Sequence, residues 1–190
     1  MLKPSTLKVL RIKFSFVLKT IYWFGHSSIV YVNIFRAVII FITLHLFLYP
    51  ASNAYNSYMD RDTKSIGGVE NPLQPTKELF YISLVLDCMA FITGLIISFY
   101  FAAGIMLFIT ASRAYSYRGI RLKKYPVLSF FTAIIFQGGL VFFMTYHGSS
   151  ITQTLKVPYL PIIASALLVG SFYPLTQIYQ HEQDKEDGVQ

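Results

Sequence analysis

Six stretches of this chain are apolar for about as long as a lipid bilayer is thick, and nothing else in the sequence limits the fold as strongly. A helix needs about 20 predominantly apolar residues to cross the hydrocarbon core. The runs cover residues 7–24, 29–58, 79–98, 99–115, 126–147 and 158–179. The first is short and interrupted by Lys13 and Lys19, whose long stems can snorkel to the interface. The second is longer than a membrane span requires. In lipid every backbone polar group must be satisfied internally, which leaves helices or a closed barrel. Runs this long and continuous are unsuited to barrel strands. The expected fold is therefore all-α, a polytopic transmembrane helix bundle of about six helices, with residues 1–190 forming a single transmembrane domain.

Composition agrees. Only 13% of the residues are charged, against about 25% in an ordinary soluble domain, and the mean hydropathy is +0.51. The formal charge of +7 would suggest nucleic acid if the chain were soluble. Here the cations flank apolar runs, so membrane orientation accounts for them and no nucleic-acid partner is expected. The single cysteine, Cys88, lies inside an apolar run and excludes a disulfide framework or a zinc site. The first run follows basic residues as in a signal peptide, but it lacks a small-residue cleavage site and is read as retained.

Placing the N-terminus in the cytoplasm puts residues 60–78, 113–125 and 180–190 on the same side. Together with the N-terminal segment they hold 14 of the 16 Lys and Arg residues, the exceptions being Arg36 and Lys156. A multi-pass protein of a bacterial inner membrane is the expected setting. Eight of nine acidic residues, all but Asp87, fall in these segments too. Acidic residues contribute little to orientation, so their clustering calls for another cause, and a metal site is the candidate.

Three polar constellations occupy that side. Asn53, Asn56 and Asp60 are spaced by three and four residues at the end of the second run, and Asp62 follows. Carboxylates and a carboxamide are hard oxygen donors of the kind Mg2+ takes, usually shared with substrate phosphates. A polar helix end running into a solvated loop is the plainer alternative. Gln177, Gln180 and Asp184 repeat the helical spacing after the sixth run, among Glu182, Glu186 and Asp187; a solvated acidic tail is the alternative there. Between them Arg113, Tyr115, Tyr117, Arg118, Arg121, Lys123 and Lys124 gather on one side. Such cations match diphosphate oxygens, and they equally suit ordinary anchoring at the interface. Gly67, Gly68, Asn71, Pro72 and Pro75 mark a turn-rich loop too irregular for a phosphate-binding glycine motif.

Arg36, His45 and Asp87 lie within apolar runs, where ionisable groups are functional candidates by default. His45 precedes Asn56 by eleven residues, about 16 Å along a helix, and could line an acceptor pocket or serve as a hydrogen-bonded packing histidine. Arg36 and Asp87 are candidates to pair across helices.

Taken in order, these motifs resemble the UbiA superfamily of intramembrane prenyltransferases. Asn56 and Asp60 match the first two anchoring positions of its aspartate-rich motif after the second helix, with Ser57 in place of a common acid. Lys64 stands where the last aspartate would fall, and Asp62 is the nearby substitute. Asn71-Pro72-Leu73 resembles the family's Asn-Arg-Pro-Leu, and Tyr115 to Lys123 resembles its Tyr-Ser to Arg-x-Lys stretch after helix four. Asp184 followed by Gly188 matches part of the second motif, with Gln180 replacing its first aspartate and Glu182 and Asp187 close by. The resemblance covers most of residues 28–190 and implies a nine-helix fold of which helices seven to nine are missing.

It also implies transfer of a prenyl group from a prenyl diphosphate to an aromatic or other lipophilic acceptor, with Mg2+ as cofactor. Asp60, Asp62 and Asp184 are implied as metal ligands and, with Asn56, as the catalytic set. Asn53, Arg113, Tyr115, Tyr117, Arg118, Arg121, Lys123, Gln180 and Asp187 are implied to bind substrate. The allylic cation would rest against aromatic faces such as Tyr55, Tyr115 or Tyr179. A magnesium-dependent phosphatidyl-alcohol transferase is disfavoured because its Asp-Gly-x-x-Ala-Arg signature is absent. A transporter or channel segment lined by Arg36, His45 and Asp87, or a truncated non-catalytic membrane protein, are the rival classes.

Overall fold

A computed structural model describes residues 10–15, 18–61 and 75–178, the side chains of Lys13, Phe14 and residues 176–178 excepted. Its elements are helical throughout: α1 (Ile12–Ser15), α2 (Lys19–Ser27), α3 (Ile34–Asp60), α4 (Lys77–Ile97), α5 (Phe99–Ser116), α6 (Pro126–Ser149) and α7 (Tyr159–Ile178), with a short 3-10 turn at Leu122–Lys124. Three of them, α3, α4 and α6, are long and apolar enough to cross a membrane by length and composition alone. Large apolar side chains such as Val85, Ile92 and Ile96 on α4 and Leu160, Leu167 and Phe172 on α7 stay exposed. Water would penalise such a surface and lipid does not. The chain is an all-α membrane helix bundle.

The first apolar run differs from expectation. In place of one helix over 7–24 the described part holds two short pieces, the second only nine residues long. Arg11, just before α1, has a left-handed backbone. Helix α1 lies against the inner face of α3, where Leu10 joins Ala54 and Leu79 in a small apolar cluster.

Helix α3 is central. Ile40, Leu44 and Leu48 are buried among Ile97, Phe101 and Ile105 from α4 and α5 and Phe142 and Met144 from α6. It begins later than its apolar run because residues 30–33 are not helical. Asn33 caps it, its Oδ1 accepting from the Arg36 N–H at 3.0 Å. Over Thr43–Leu48 the helix widens to π geometry. Pro50 follows at once; it has no N–H for the carbonyl four residues back and crowds it, which favours a widened turn there. Helices α4 and α5 are joined by Ser98 alone. Its N–H donates to the Gly94 carbonyl at 3.1 Å, and its Oγ accepts from the Phe101 N–H at 3.0 Å. Helix α6 is likewise π-wound over Ala133–Leu140. There Gly138 lets α7 approach so closely that a Cβ would sit 2.6 Å from the Ala166 Cα, and Ser165 Oγ donates to its carbonyl at 3.1 Å.

The topology places the C-termini of α3 and α5 and the N-termini of α4 and α6 at one end of the bundle. The opposite end collects the start of α3, the α4–α5 corner and the α6–α7 connection.

Candidate functional site

Helices α3 and α5 descend side by side toward the first of these ends, and polar residues four apart on one meet polar residues four apart on the other. Ser52 Oγ and Ser112 Oγ are 2.6 Å apart, and Ser116 Oγ donates to Asn56 Oδ1 at 2.6 Å. This second bond turns the Asn56 carboxamide toward α5. Asn53 faces α1 instead, its Nδ2 donating to Ser15 Oγ at 3.3 Å.

Beyond Ser116 the chain folds back tightly. The N–H groups of Ile120 and Arg121 both donate to the Tyr117 carbonyl, at 3.0 and 2.7 Å, and Arg121 adopts a left-handed backbone with φ 49°. Arg118 Nε donates to the Met59 carbonyl at 2.8 Å. A cation there satisfies a carbonyl that the end of α3 leaves open and complements the negative end of its dipole. The 3-10 turn then delivers Lys123 to Asp60 on the last turn of α3. Lys123 Nζ lies 2.8 Å from Asp60 Oδ1, and an Arg121 guanidinium nitrogen lies 3.9 Å from the same oxygen. The Asp60 and Lys123 side chains are only 5% and 6% exposed, so this is a buried ion pair with a second cation beside it.

The structure thus brings Asn56, Asp60, Arg121 and Lys123 together. Tyr117 sits at the edge, half exposed. Tyr115 points away, its hydroxyl 2.9 Å from that of Tyr173 on α7. Arg113 reaches to α4, where it forms an ion pair with Asp87 and lies 3.4 Å from Ser83 Oγ. Its guanidinium carbon stands 3.8 Å from the Tyr55 ring centroid, so that face of Tyr55 already carries a cation. Asp62, Gln180, Asp184 and Asp187, and with them Tyr179, lie outside the described residues.

The expected pairing of Arg36 with Asp87 does not occur. Arg36 Nε donates to the Gly148 carbonyl at 3.0 Å, and its Nη2 donates to the carbonyls of Ser150 and Ile151 at the opposite end of the bundle. The carbonyls left open at the C-terminus of α6 compete successfully for the guanidinium, and Arg113 reaches Asp87 instead. His45 is buried in the widened turns of α3, its Nδ1 2.9 Å from the Phe41 carbonyl and its ring stacked on Phe41 at 4.3 Å. That is the geometry of a packing histidine. Arg36, His45 and Asp87 each engage different local partners and form no shared polar stripe.

Sequence reasoning missed the serine ladder. The signal was present: Ser52 and Asn56, like Ser112 and Ser116, are spaced by four near the ends of two apolar runs. It noted Ser57 only as the residue in place of an acid, not as a donor in its own right. Its Oγ is buried and has no hydrogen-bond partner among the described residues.

That hydroxyl bears on whether the residues suit a divalent ion. Between Asn56 and Asp60, one turn from the carboxylate, it adds a third hard oxygen donor to a site whose donors are all of the class Mg2+ prefers. Among the described residues no three His, Cys, Asp or Glu side chains gather around one point. Mg2+ commonly takes only one or two carboxylates and completes its shell with water and phosphate oxygens, so the donor set fits it in kind.

Comparison with solved structures fixes the class of fold. The chain matches a UbiA homologue from Archaeoglobus fulgidus bound to DMAPP and Mg2+ with a TM-score of 0.79 at 20% identity, over 97% of this chain and 67% of that one. It matches a UbiA homologue from the same organism bound to GPP and Mg2+ with a TM-score of 0.78 at 21% identity, over 97% and 66%. A third, bound to Cd2+, gives 0.73 at 20% identity over the same shares. No family model matches the sequence, and no curated protein matches it. The chain has the fold of the UbiA homologues and spans about two thirds of their length.

Proposed function

We propose that this chain is a prenyltransferase of the UbiA type, dependent on Mg2+, whose basic end receives a prenyl diphosphate and whose prenyl group goes to an aromatic or other lipophilic acceptor. The observation that supports this reading most is the convergence of Asn56, Asp60, Arg121 and Lys123 in a fold two solved examples of which carry DMAPP or GPP with Mg2+. The positive-inside rule places that end in the cytoplasm, and the N-terminus with it.

Asn56, Ser57 and Asp60 would hold the ion from α3, joined by Asp62 and by Asp184 from the C-terminal segment. Bound Mg2+ neutralises charge on the diphosphate leaving group. Lys123 and Arg121 offer a point charge and a planar fork to the same oxygens, positioned before the bond breaks rather than recruited afterwards. Tyr117, Gln180 and Asp187 complete the rim. Arg118 acts by fixing the α5–α6 turn on the end of α3, Asn53 by tying α3 to α1, and Arg113 and Tyr115 by bracing α5 against α4 and α7. The apolar tail would lie between helices in contact with lipid.

Membranes carrying the chain, incubated with labelled prenyl diphosphates of several lengths and analysed by mass spectrometry, test the reading. A prenylated product that requires Mg2+ is expected, and Asp60→Asn should lower its yield by about 100-fold or more. Prenyl diphosphate binding indifferent to both Mg2+ and Asp60 would refute the site. Tight, Mg2+-dependent binding with no product would favour the non-catalytic alternative.

A further inference from the structure

Asp60 carries a carboxylate in a place where a bare charge is very costly. Its side chain is 5% exposed, and an uncompensated ion there would lose most of its hydration. Among the described residues two cations lie by one of its oxygens, Lys123 Nζ at 2.8 Å and the Arg121 guanidinium at 3.9 Å. Lys123 alone is within hydrogen-bonding distance of the two. The partners also differ in freedom. Asp60 sits on the last turn of a 27-residue helix, whereas Lys123 is carried by a three-residue 3-10 turn. A lysine adds a flexible four-carbon stem with rotatable donors. The lysine is the member of the pair that can move.

We propose that Lys123 is an exchangeable counter-ion: its ammonium compensates Asp60 while the site is empty and passes to the diphosphate when metal and substrate arrive together. The proposal rests on the prenyl diphosphate reading given above. A lone divalent cation approaching Asp60 meets an ammonium already on one of its carboxylate oxygens, and like charges that close repel. A metal accompanied by a diphosphate brings anionic oxygens to which Lys123 can turn. The carboxylate is then released to the metal without leaving either charge buried alone. Metal and diphosphate therefore favour each other's binding, and by linkage the effect is equal in both directions. The Ser57 hydroxyl, buried without a partner among the described residues, is an oxygen donor that the pair leaves waiting. Arg121, the more distant of the two cations at 3.9 Å, lies beside both Asp60 and the incoming diphosphate.

Mn2+, followed by its electron paramagnetic resonance, serves as the metal probe. The full chain would be held in nanodiscs of zwitterionic lipid, so that the bilayer does not bind the ion. With wild-type protein Mn2+ alone should bind weakly, and saturating GPP should tighten it by at least about fivefold. Lys123→Met should tighten binding of Mn2+ alone by about tenfold and weaken GPP binding in the presence of metal. Lys123→Arg should keep the weak metal-only binding of the wild type. Equal Mn2+ affinity with and without GPP in the wild type would overturn the exchange even if the methionine variant failed to fold. Metal-only affinity that is unchanged or weaker in a folded Lys123→Met would overturn it as well. A wild-type protein that binds neither Mn2+ nor GPP under any condition would instead remove the prenyltransferase reading itself.

Discussion

The two ends of this bundle solve opposite problems. At the end where α6 gives way to α7, Arg36 places its guanidinium on three backbone carbonyls, those of Gly148, Ser150 and Ile151. His147 is held through both ring nitrogens, by Ser98 Oγ at 2.8 Å and the Thr154 carbonyl at 3.1 Å. Gln153 Nε2 donates to the Ile97 carbonyl at 2.8 Å. Two backbone bonds, from Asn33 N–H to Ser149 and from Ile151 N–H to Tyr31, stitch the start of α3 to the end of α6. At the other end Arg118 too rests on a backbone carbonyl, but beside it the contacts are between formal charges: Asp60 with Lys123 and Arg121. A cation on fixed carbonyls of its own chain has no alternative partner to leave for. A cation on a side-chain carboxylate can be drawn off by a competing anion. The first arrangement makes a latch, and the second makes a place that a charged ligand can enter.

Removing the latch is the largest effect expected. Arg36→Met would strip three carbonyls at the end of α6 of a charge-assisted donor, a loss of about 4 kcal/mol for bonds of this type. Thermal unfolding in detergent should shift down by many degrees. Below the transition, GPP binding at the far end should be unchanged. A variant that keeps wild-type thermal stability would show that the Arg36 contacts hold nothing, and the contrast between the ends would fail.

The Asp87 and Arg113 pair sharpens the comparison because it is ionic yet joins two helices, the middle of α4 to the last turn of α5. With Ser83 and Tyr55 around the guanidinium, it has the character of a brace. Asp87→Asn should destabilise the bundle by about 3 kcal/mol, since it leaves a guanidinium among apolar helices without its counter-charge. The double variant Asp87→Leu with Arg113→Leu should recover much of that, as buried pairs replaced together by apolar residues often do. A double variant as unstable as the sum of its singles would mean that the two side chains act independently.

Much of the fold could be read from hydropathy because α4, α5 and α6 follow continuous apolar runs, and their observed limits depart by only one or two residues from those expected. The start of α3 was hidden. Val30, Tyr31 and Val32 are as apolar as the helix that follows, although Asn33 marks the cap in a way the sequence displays. The first run misled for a different reason: apolar residues around Lys13 and Lys19 permit a long helix without requiring one. Of the candidate site, the spacing of Asn56 and Asp60 was legible because helical periodicity is local. Which cation meets which acid was not. Arg113, Arg118 and Lys123 share one basic stretch of the sequence, and only tertiary structure assigns them to Asp87, to a helix end and to Asp60, as it assigns Arg36 to backbone carbonyls.

The smallest effect bears on how the charged end is built rather than on whether it exists. Ser116 gives its hydroxyl proton to Asn56 Oδ1 at 2.6 Å and so orients the carboxamide one turn before Asp60. Ser116→Ala removes one hydrogen bond worth about 1 kcal/mol, and the buried serine becomes a slightly smaller apolar residue with little change in packing. Thermal stability should fall by only a few degrees. The affinity for GPP with Mg2+ should fall by about fivefold, because the carboxamide loses its fixed direction and ligand-binding geometry tolerates little looseness. Ser52→Ala, one turn further in, breaks the equivalent bond to Ser112 and should cost similar stability while leaving GPP affinity intact. Equal losses of affinity in both variants would mean that the ladder acts by holding α3 against α5 as a whole. A loss confined to Ser116→Ala would place its effect in the aim of Asn56.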